Sequence, residues 1–175
     1  EKLERFSGPW TGNEATIEVD SQNFIWIEGE IKDPEQNASI IWNNVHHSVL
    51  RNVVVINSGN NYGYGGITLS GSDNNFLKGL AISGLNAGSE TGNHTLLFDG
   101  AEYNTVYDVK ASNSTYGLQI LSGSNGNVFS NVMISNTGTS SGNYEGLIIT
   151  NSSNNRFTGV TVANTASYGV RVIET

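Results

Sequence analysis

The sequence repeats one short unit five times, with starts separated by 27, 29, 23 and 28 residues. Repetition at such a period constrains the fold more than local propensity does, because every unit must adopt the same structure and pack against the next. A fold of stacked, equivalent turns is therefore expected. The units read SVLRNVVVIN, NFLKGLAISG, NTVYDVKASN, NVFSNVMISN and NRFTGVTVAN, and they begin at Ser48, Asn75, Asn104, Asn127 and Asn155.

Each unit has the pattern of two short strands with a bend between them. Apolar residues recur at the third, sixth and eighth places, and the last two alternate as strand residues do. A second apolar run, such as GLQILSG from Gly117, follows each unit, so one repeat is two or three short strands and no helix. The fifth place always holds a residue that accepts a left-handed or bent backbone: Asn52, Gly79, Asp108, Asn131 and Gly159.

Strands that recur every 23 to 29 residues leave no room for the covering helix of a βαβ unit. They can instead wind as a coil in which each strand pairs with its counterpart one turn later, which is an all-β parallel β-helix. The spacing predicts about six to seven coils in a single domain over residues 1–175. Residues 1–22 are interpreted as an N-terminal cover, with Phe6 and Trp10, and a first strand; residues 23–175 are interpreted as the repeating coils.

The segments YGLQILSGSNGNVFSNVMISN and EGLIITNSSNNRFTGVTVAN resemble the right-handed parallel β-helix repeats of pectate-lyase-like proteins. This repeat type is shared by carbohydrate-binding proteins and sugar hydrolases and by NosD-type periplasmic proteins. The resemblance covers roughly residues 23 to 173 and implies a right-handed β-helix. It implies no particular activity, because the fold hosts lyases, hydrolases, adhesins and inert scaffolds. The sequence has neither the lyases' Ca²⁺-binding aspartate cluster nor the Gly-His-Gly and Arg-Ile-Lys motifs of polygalacturonases.

Charge and residue types argue against several classes of partner. The net charge is −8 with eight Lys and Arg, so no basic stripe for phosphates is expected and nucleic acid is not a predicted partner. One Met, three His and no Cys argue against a copper or thiolate metal site, and no cofactor is expected apart from the Ca²⁺ alternative below. No apolar run approaches the roughly 20 residues of a membrane span.

Aligning the second strands brings five ring side chains within one place of each other. Such a stripe has two interpretations: the rings cover a bend by stacking on one another, or they contact a glycan, since ring faces pack on pyranose C–H groups. The polar inserts SGNNYGYG, LNAGSETGNH and TGTSSGNYE precede the stripe and favour a glycan-binding groove. The members of the stripe are Tyr64, His94, Tyr116, Tyr144 and Tyr168.

The tenth place of the units is nearly always asparagine. Stacked on successive coils, these amides can hydrogen-bond to the turn backbone and to one another, so we interpret them as a structural ladder rather than a ligand track. Gly84 replaces asparagine in one unit. The ladder comprises Asn57, Asn113, Asn136 and Asn164.

Two further sets carry charge. Asp73 and Glu102 both lie two residues before a unit, so they should lie one coil apart, about 5 Å. They are either solvated turn carboxylates or, in an enzyme, an acid/base pair or Ca²⁺ ligands. The fourth place of three consecutive units holds Arg51, Lys78 and Tyr107, which should stack on one another. They are either exposed strand residues without a ligand or contacts to an acidic sugar.

The function that the sequence favours is a structural or adhesive β-helix module, extracellular or at the cell surface, that contacts glycans along the aromatic edge. The C-terminal YGVRVIET keeps the repeat pattern, which favours end-to-end self-association or flanking domains of a longer protein. The alternative is a carbohydrate-active enzyme, a polysaccharide lyase or glycoside hydrolase, that uses Asp73 and Glu102.

Overall fold

The computed structural model of the chain describes residues 4–11, 17–32, 39–56, 66–84, 94–138 and 144–174. These residues form sixteen strands and no helix, so none of them belongs to a helix that could span a membrane. The strands are β1 (Glu4–Ser7), β2 (Trp10–Thr11), β3 (Ile17–Asp20), β4 (Ile25–Lys32), β5 (Ile40–Asn43), β6 (Val49–Ile56), β7 (Ile67–Ser70), β8 (Phe76–Ser83), β9 (His94–Asp99), β10 (Thr105–Ser114), β11 (Tyr116–Leu121), β12 (Val128–Thr137), β13 (Leu147–Thr150), β14 (Arg156–Thr158), β15 (Thr161–Thr165) and β16 (Val170–Ile173).

The strands form two parallel sheets between which the chain alternates. The nine-stranded sheet has the order β1-β4-β6-β8-β10-β12-β14, with β15 beside β12 and β2 beside β4. The seven-stranded sheet has the order β16-β13-β11-β9-β7-β5-β3. Each strand therefore pairs with its counterpart one repeat away, and the predicted all-β parallel β-helix is confirmed.

The solenoid has about five turns, fewer than the six to seven predicted. The difference lies in the terminal levels, where short strands such as β1, β14 and β16 are mostly exposed and lack a full core. Residues 4–11, interpreted above as part of an N-terminal cover, extend the nine-stranded sheet through β1 and β2. Trp10 packs against the core, whereas Phe6 remains 48% exposed.

The apolar places of the repeat fill the interior in columns. Leu77, Leu80 and Ile82 of β8 are buried, and the equivalent residues of β10 and β12 lie directly beside them in register. Phe129 packs edge-on against Phe98 of the facing sheet, with ring centroids 5.2 Å apart. In-register stacking thus places the same kind of side chain at each level, and the interior is one continuous apolar core.

The bends of the nine-stranded sheet lie where turn-forming residues were predicted. All five fifth-place residues have φ between 51° and 67°, in the left-handed region that Gly and Asn tolerate best. A second left-handed residue lies at the tenth place, where Asn164 Nδ2 donates to Asn136 Oδ1 at 3.2 Å. Asn113 is left-handed and exposed at the same place, while Asn57 lies outside the described residues. These asparagines are surface bend residues.

A second, buried asparagine ladder occupies the first place of the units, and we did not predict it. At the turn that enters the nine-stranded sheet, each asparagine side-chain amide hydrogen-bonds to a backbone N–H and a backbone carbonyl in place of another backbone group. Asn127 Oδ1 accepts from the Asn104 amide at 2.8 Å, and Asn127 Nδ2 donates to the Ala101 carbonyl at 2.9 Å. The same two bonds recur at the other levels. The ladder comprises Asn75, Asn104 and Asn127, which are buried, and the half-buried Asn155 at the last level.

Replacing Asn127 by alanine should lower the free energy of unfolding by about 2–4 kcal/mol, because a buried amide N–H and a buried carbonyl lose their partners. Asn131→Gly is the matched control, since glycine occupies this left-handed bend at two other levels; we expect a loss below about 1 kcal/mol. Urea unfolding followed by circular dichroism measures both. Equal losses would contradict a specific role for the buried ladder.

Candidate functional site

Six side chains converge where the chain passes from the nine-stranded sheet into the seven-stranded one. They lie at the starts of β9 and β11, directly before β13, and in or directly before β16, so that the six side chains come from four consecutive turns of the solenoid. In-register pairing of these strands places them at one edge. We name them the edge cluster: His94, Tyr116, Tyr144, Glu145, Tyr168 and Arg171.

Three rings of the edge cluster are in contact across three consecutive levels. The rings of His94 and Tyr116 are stacked, with centroids 5.6 Å apart, and the two residues are partners in register. Tyr144 meets Tyr116 edge to face at 5.2 Å. Tyr168 is 59% exposed, and the guanidinium of Arg171 lies 5.6 Å from its ring centroid. Tyr64, also predicted in this stripe, lies outside the described residues.

A buried ion pair adjoins the rings, and sequence reasoning missed it. Glu145 is 2% exposed, and its Oε1 accepts a hydrogen bond from Arg171 Nη1 at 2.8 Å. A buried carboxylate needs such a partner, because removing the charge from water is costly otherwise. The strand register offered a signal, since Leu118 pairs with Leu147 and Glu145 therefore occupies the place of Tyr116 one turn later.

Burial and hydrogen bonding shift the pKa values of three groups in the edge cluster. Burial lowers the pKa of His94 from 6.5 to about 4, and no described residue donates to or accepts from its Nδ1. Burial, then the Glu145 carboxylate, raises the pKa of Tyr116. The hydrogen bond to Glu145 raises the pKa of Arg171. At neutral pH the edge therefore presents a neutral imidazole and a neutral phenol beside the hydrogen bond between Arg171 and Glu145.

Glycine follows the ring or acidic residue because successive turns approach closely there. A Cβ at Gly117, next to Tyr116, would collide with the carbonyl oxygen of Gly146 on the next turn. A Cβ at Gly146, next to Glu145, would collide with Val162 in the core. These glycines bring the backbones together and so bring the neighbouring edge side chains within contact distance.

Asp73 and Glu102 lie on adjacent turns at the opposite edge, where the chain re-enters the nine-stranded sheet. Asp73 Oδ1 accepts from the Glu102 amide at 2.7 Å, and Glu102 Oε1 accepts from Asn125 Nδ2 at 2.9 Å. The Asp73 amide donates to His46 Nδ1 at 3.2 Å. Because Nδ1 accepts there, its 3.7 Å approach to Asp73 Oδ2 is not an ion pair. Both carboxylates thus bond within the turns.

Across the described part of the chain, no three His, Cys, Asp or Glu side chains form a group that could hold a metal ion. The predicted neighbours Arg51, Lys78 and Tyr107 do lie side by side, on the outward face of the nine-stranded sheet and away from the edge cluster. The two surfaces are therefore distinct.

No family model and no curated protein matches the chain. Among solved structures, it is similar to the catalytic domain of a GH87 α-1,3-glucanase in complex with tetrasaccharides. The sequences are 16% identical, the TM-score is 0.59, and the match covers 91% of this chain and 34% of the other. The chain thus spans about a third of that catalytic domain. At this identity the likeness shows the fold alone, a parallel β-helix.

The buried neutral state of His94 predicts a pH-dependent stability. Its folded pKa lies below the unfolded value, so the unfolded chain binds the proton first and stability falls as pH drops from 6.5 towards about 4. The loss should reach about 3 kcal/mol. Unfolding of wild type and His94→Phe at pH 7 and pH 4 measures it, because all other titrating groups are shared. Equal pH dependence in the two proteins would refute the assignment.

Proposed function

We propose that the chain is a carbohydrate-binding β-solenoid module whose edge cluster contacts a glycan. The observation that carries the proposal is the continuous run of His94, Tyr116 and Tyr144 rings beside the Glu145–Arg171 pair. Aromatic rings supply flat apolar surface for sugar C–H groups, while phenols and the half-exposed guanidinium of Arg171 can bond hydroxyl groups. The β-helix neighbour in complex with tetrasaccharides supports a saccharide as the ligand class.

The contacts of the carboxylates support binding rather than catalysis. Asp73 and Glu102 bond to a turn amide and to an asparagine side chain, at the edge opposite the rings. Glu145, the carboxylate inside the edge cluster, is buried and paired with Arg171. A general acid or base must instead reach a proton of the substrate. The carbohydrate-active enzyme remains the alternative, and the experiment below separates the two.

The same proposal includes a location outside the cell, at its surface or in the extracellular medium, where polysaccharides are the available ligands. An adhesive or structural role there follows from binding without turnover. End-to-end association stays a prediction: Val170 and Val172 pair in register with Leu147 and Ile149, yet they are 53% and 65% exposed at the last described level. A flanking domain or a second copy would cover them.

Replacing Tyr116 and Tyr144 together by alanine should weaken glycan binding by about tenfold or more, since each ring contact contributes about 0.5–1.5 kcal/mol beyond the buried area. Tyr103→Ala is the control, because Tyr103 is 61% exposed and follows the seven-stranded sheet rather than preceding it. A neutral-glycan array followed by calorimetry on the best oligosaccharide measures affinity. Failure of the wild type to bind any glycan would refute the proposal, as would an equal loss in the control.

The enzyme alternative makes a different prediction for the same glycans. Incubation with the wild type should release no reducing or unsaturated sugars if the module only binds. Release that Asp73→Asn abolishes and the tyrosine double variant merely weakens would replace our proposal with the enzyme. Asparagine keeps the Oδ1 acceptor for the Glu102 amide, so the variant removes the charge while retaining this turn contact.

A further inference from the structure

The outward face of the nine-stranded sheet carries most of the described cations of an otherwise acidic chain. Arg51 pairs in register with Lys78, and Lys78 pairs with Tyr107, so the three side chains lie on consecutive levels at roughly 4.8 Å spacing. Lys110 lies beyond the bend of the same strand as Tyr107. We name Arg51, Lys78, Tyr107 and Lys110 the basic face.

The cations of the basic face form no ion pairs with described residues. The other cations are mostly neutralised, as Arg5 is by Glu28, Lys32 by Glu30 and Arg171 by Glu145. Arg51, Lys78 and Lys110 have no carboxylate oxygen within 4.0 Å in the described part of the chain. A net charge of −8 therefore coexists with a local row of positive charges that form no ion pair, although the Glu28 carboxylate lies close enough to Arg51 to interact with its charge.

A groove of about 490 Å³ follows the bend beside this row. It crosses three turns of the solenoid and so runs along the axis, perpendicular to the strands. Its size is within the range of small-ligand sites and suits a sugar unit of a linear polymer. Lys110 and the half-exposed Met133 line one side. The one carboxylate in its lining, Asp108, accepts a hydrogen bond from Asn131 Nδ2 at 3.2 Å.

The aromatic rings on this face are partly covered by cations, so a ligand has less access to ring faces than to positive charges. Lys78 Nζ lies 5.0 Å from the ring centroid of Tyr107, and Arg5 and Arg51 lie 5.5 and 6.0 Å from that of Trp26. Single-stranded nucleic acid binds by stacking its bases on free aromatic faces, which the cations partly occupy here. The unpaired cations therefore favour a ligand that carries fixed negative charges.

We propose that the basic face and its groove bind a linear sulfated polysaccharide along the solenoid axis. Sulfate esters project from the sugar ring, stay ionised at any physiological pH and offer several acceptor oxygens to Arg51, Lys78 and Lys110. Fixed charges of this kind can overcome the repulsion from Asp108 and from the acidic remainder of the chain. The site lies on a different face from the edge cluster and does not depend on the proposed function.

Dextran sulfate and unsulfated dextran are the probes, because they differ in the sulfate groups alone. In calorimetry at low salt, the wild type should bind dextran sulfate at least about tenfold more tightly than dextran, and added salt should weaken only the former. Arg51→Gln with Lys78→Gln should lower affinity for dextran sulfate by about tenfold or more, since two charge-assisted bonds are lost. Asp108→Asn should raise it.

The matched control is Lys32→Gln with Arg156→Gln, which removes two positive charges from the same sheet outside the basic face. It should change the affinity less than about threefold, the effect expected of net charge alone. Absence of binding by the wild type, an equal loss in the control, or tighter binding of polygalacturonate or single-stranded DNA would each overturn the proposal. Loss of dextran sulfate binding in the Tyr116→Ala, Tyr144→Ala variant alone would assign it to the edge cluster instead.

Discussion

The structure depends on the hydrogen bonds that the buried asparagine ladder makes at the turn into the nine-stranded sheet. A winding chain must change direction there, and its amides and carbonyls would otherwise be buried without partners. Asn104, Asn127 and their equivalents supply both a donor and an acceptor to the backbone of neighbouring turns. Because each amide bonds a defined residue on the neighbouring turn, the ladder fixes the register of the adjoining strands.

Because the register is fixed, residues at the same place of successive repeats lie side by side and form continuous surfaces. A residue type that recurs at one place becomes a row along the axis, as the apolar columns of the core show. The edge cluster arises in this way from the residues that start β9 and β11. The basic face arises from the fourth place of the repeat units, which lies in β6, β8 and β10. Each turn contributes a ring or charge to a row without contributing a complete site.

The core and the bends could be predicted because they follow from local physics. Alternating apolar residues point inwards, and Asn52 or Gly79 at a fifth place accept the left-handed backbone that a bend requires. The buried ladder could not be separated from the exposed one, since Asn127 and Asn136 have the same side chain and differ only in the burial and backbone conformation that the fold gives them. The Glu145–Arg171 pair joins residues 26 apart that belong to no shared motif. The net charge of the chain likewise does not indicate which Lys and Arg side chains lack an ion-pair partner.

The two recognition surfaces share one scaffold but differ in what holds them in place. The rings of the edge cluster touch one another, so a shift of one turn by about the radius of a ring would separate neighbouring rings. Their geometry also depends on the close backbone approach at Gly117 and Gly146. The cations of the basic face are long side chains on the outside of regular strands, and charge attraction falls off slowly with distance. A change in the packing of one turn therefore disturbs the edge more than the face, although both lie on the same coils.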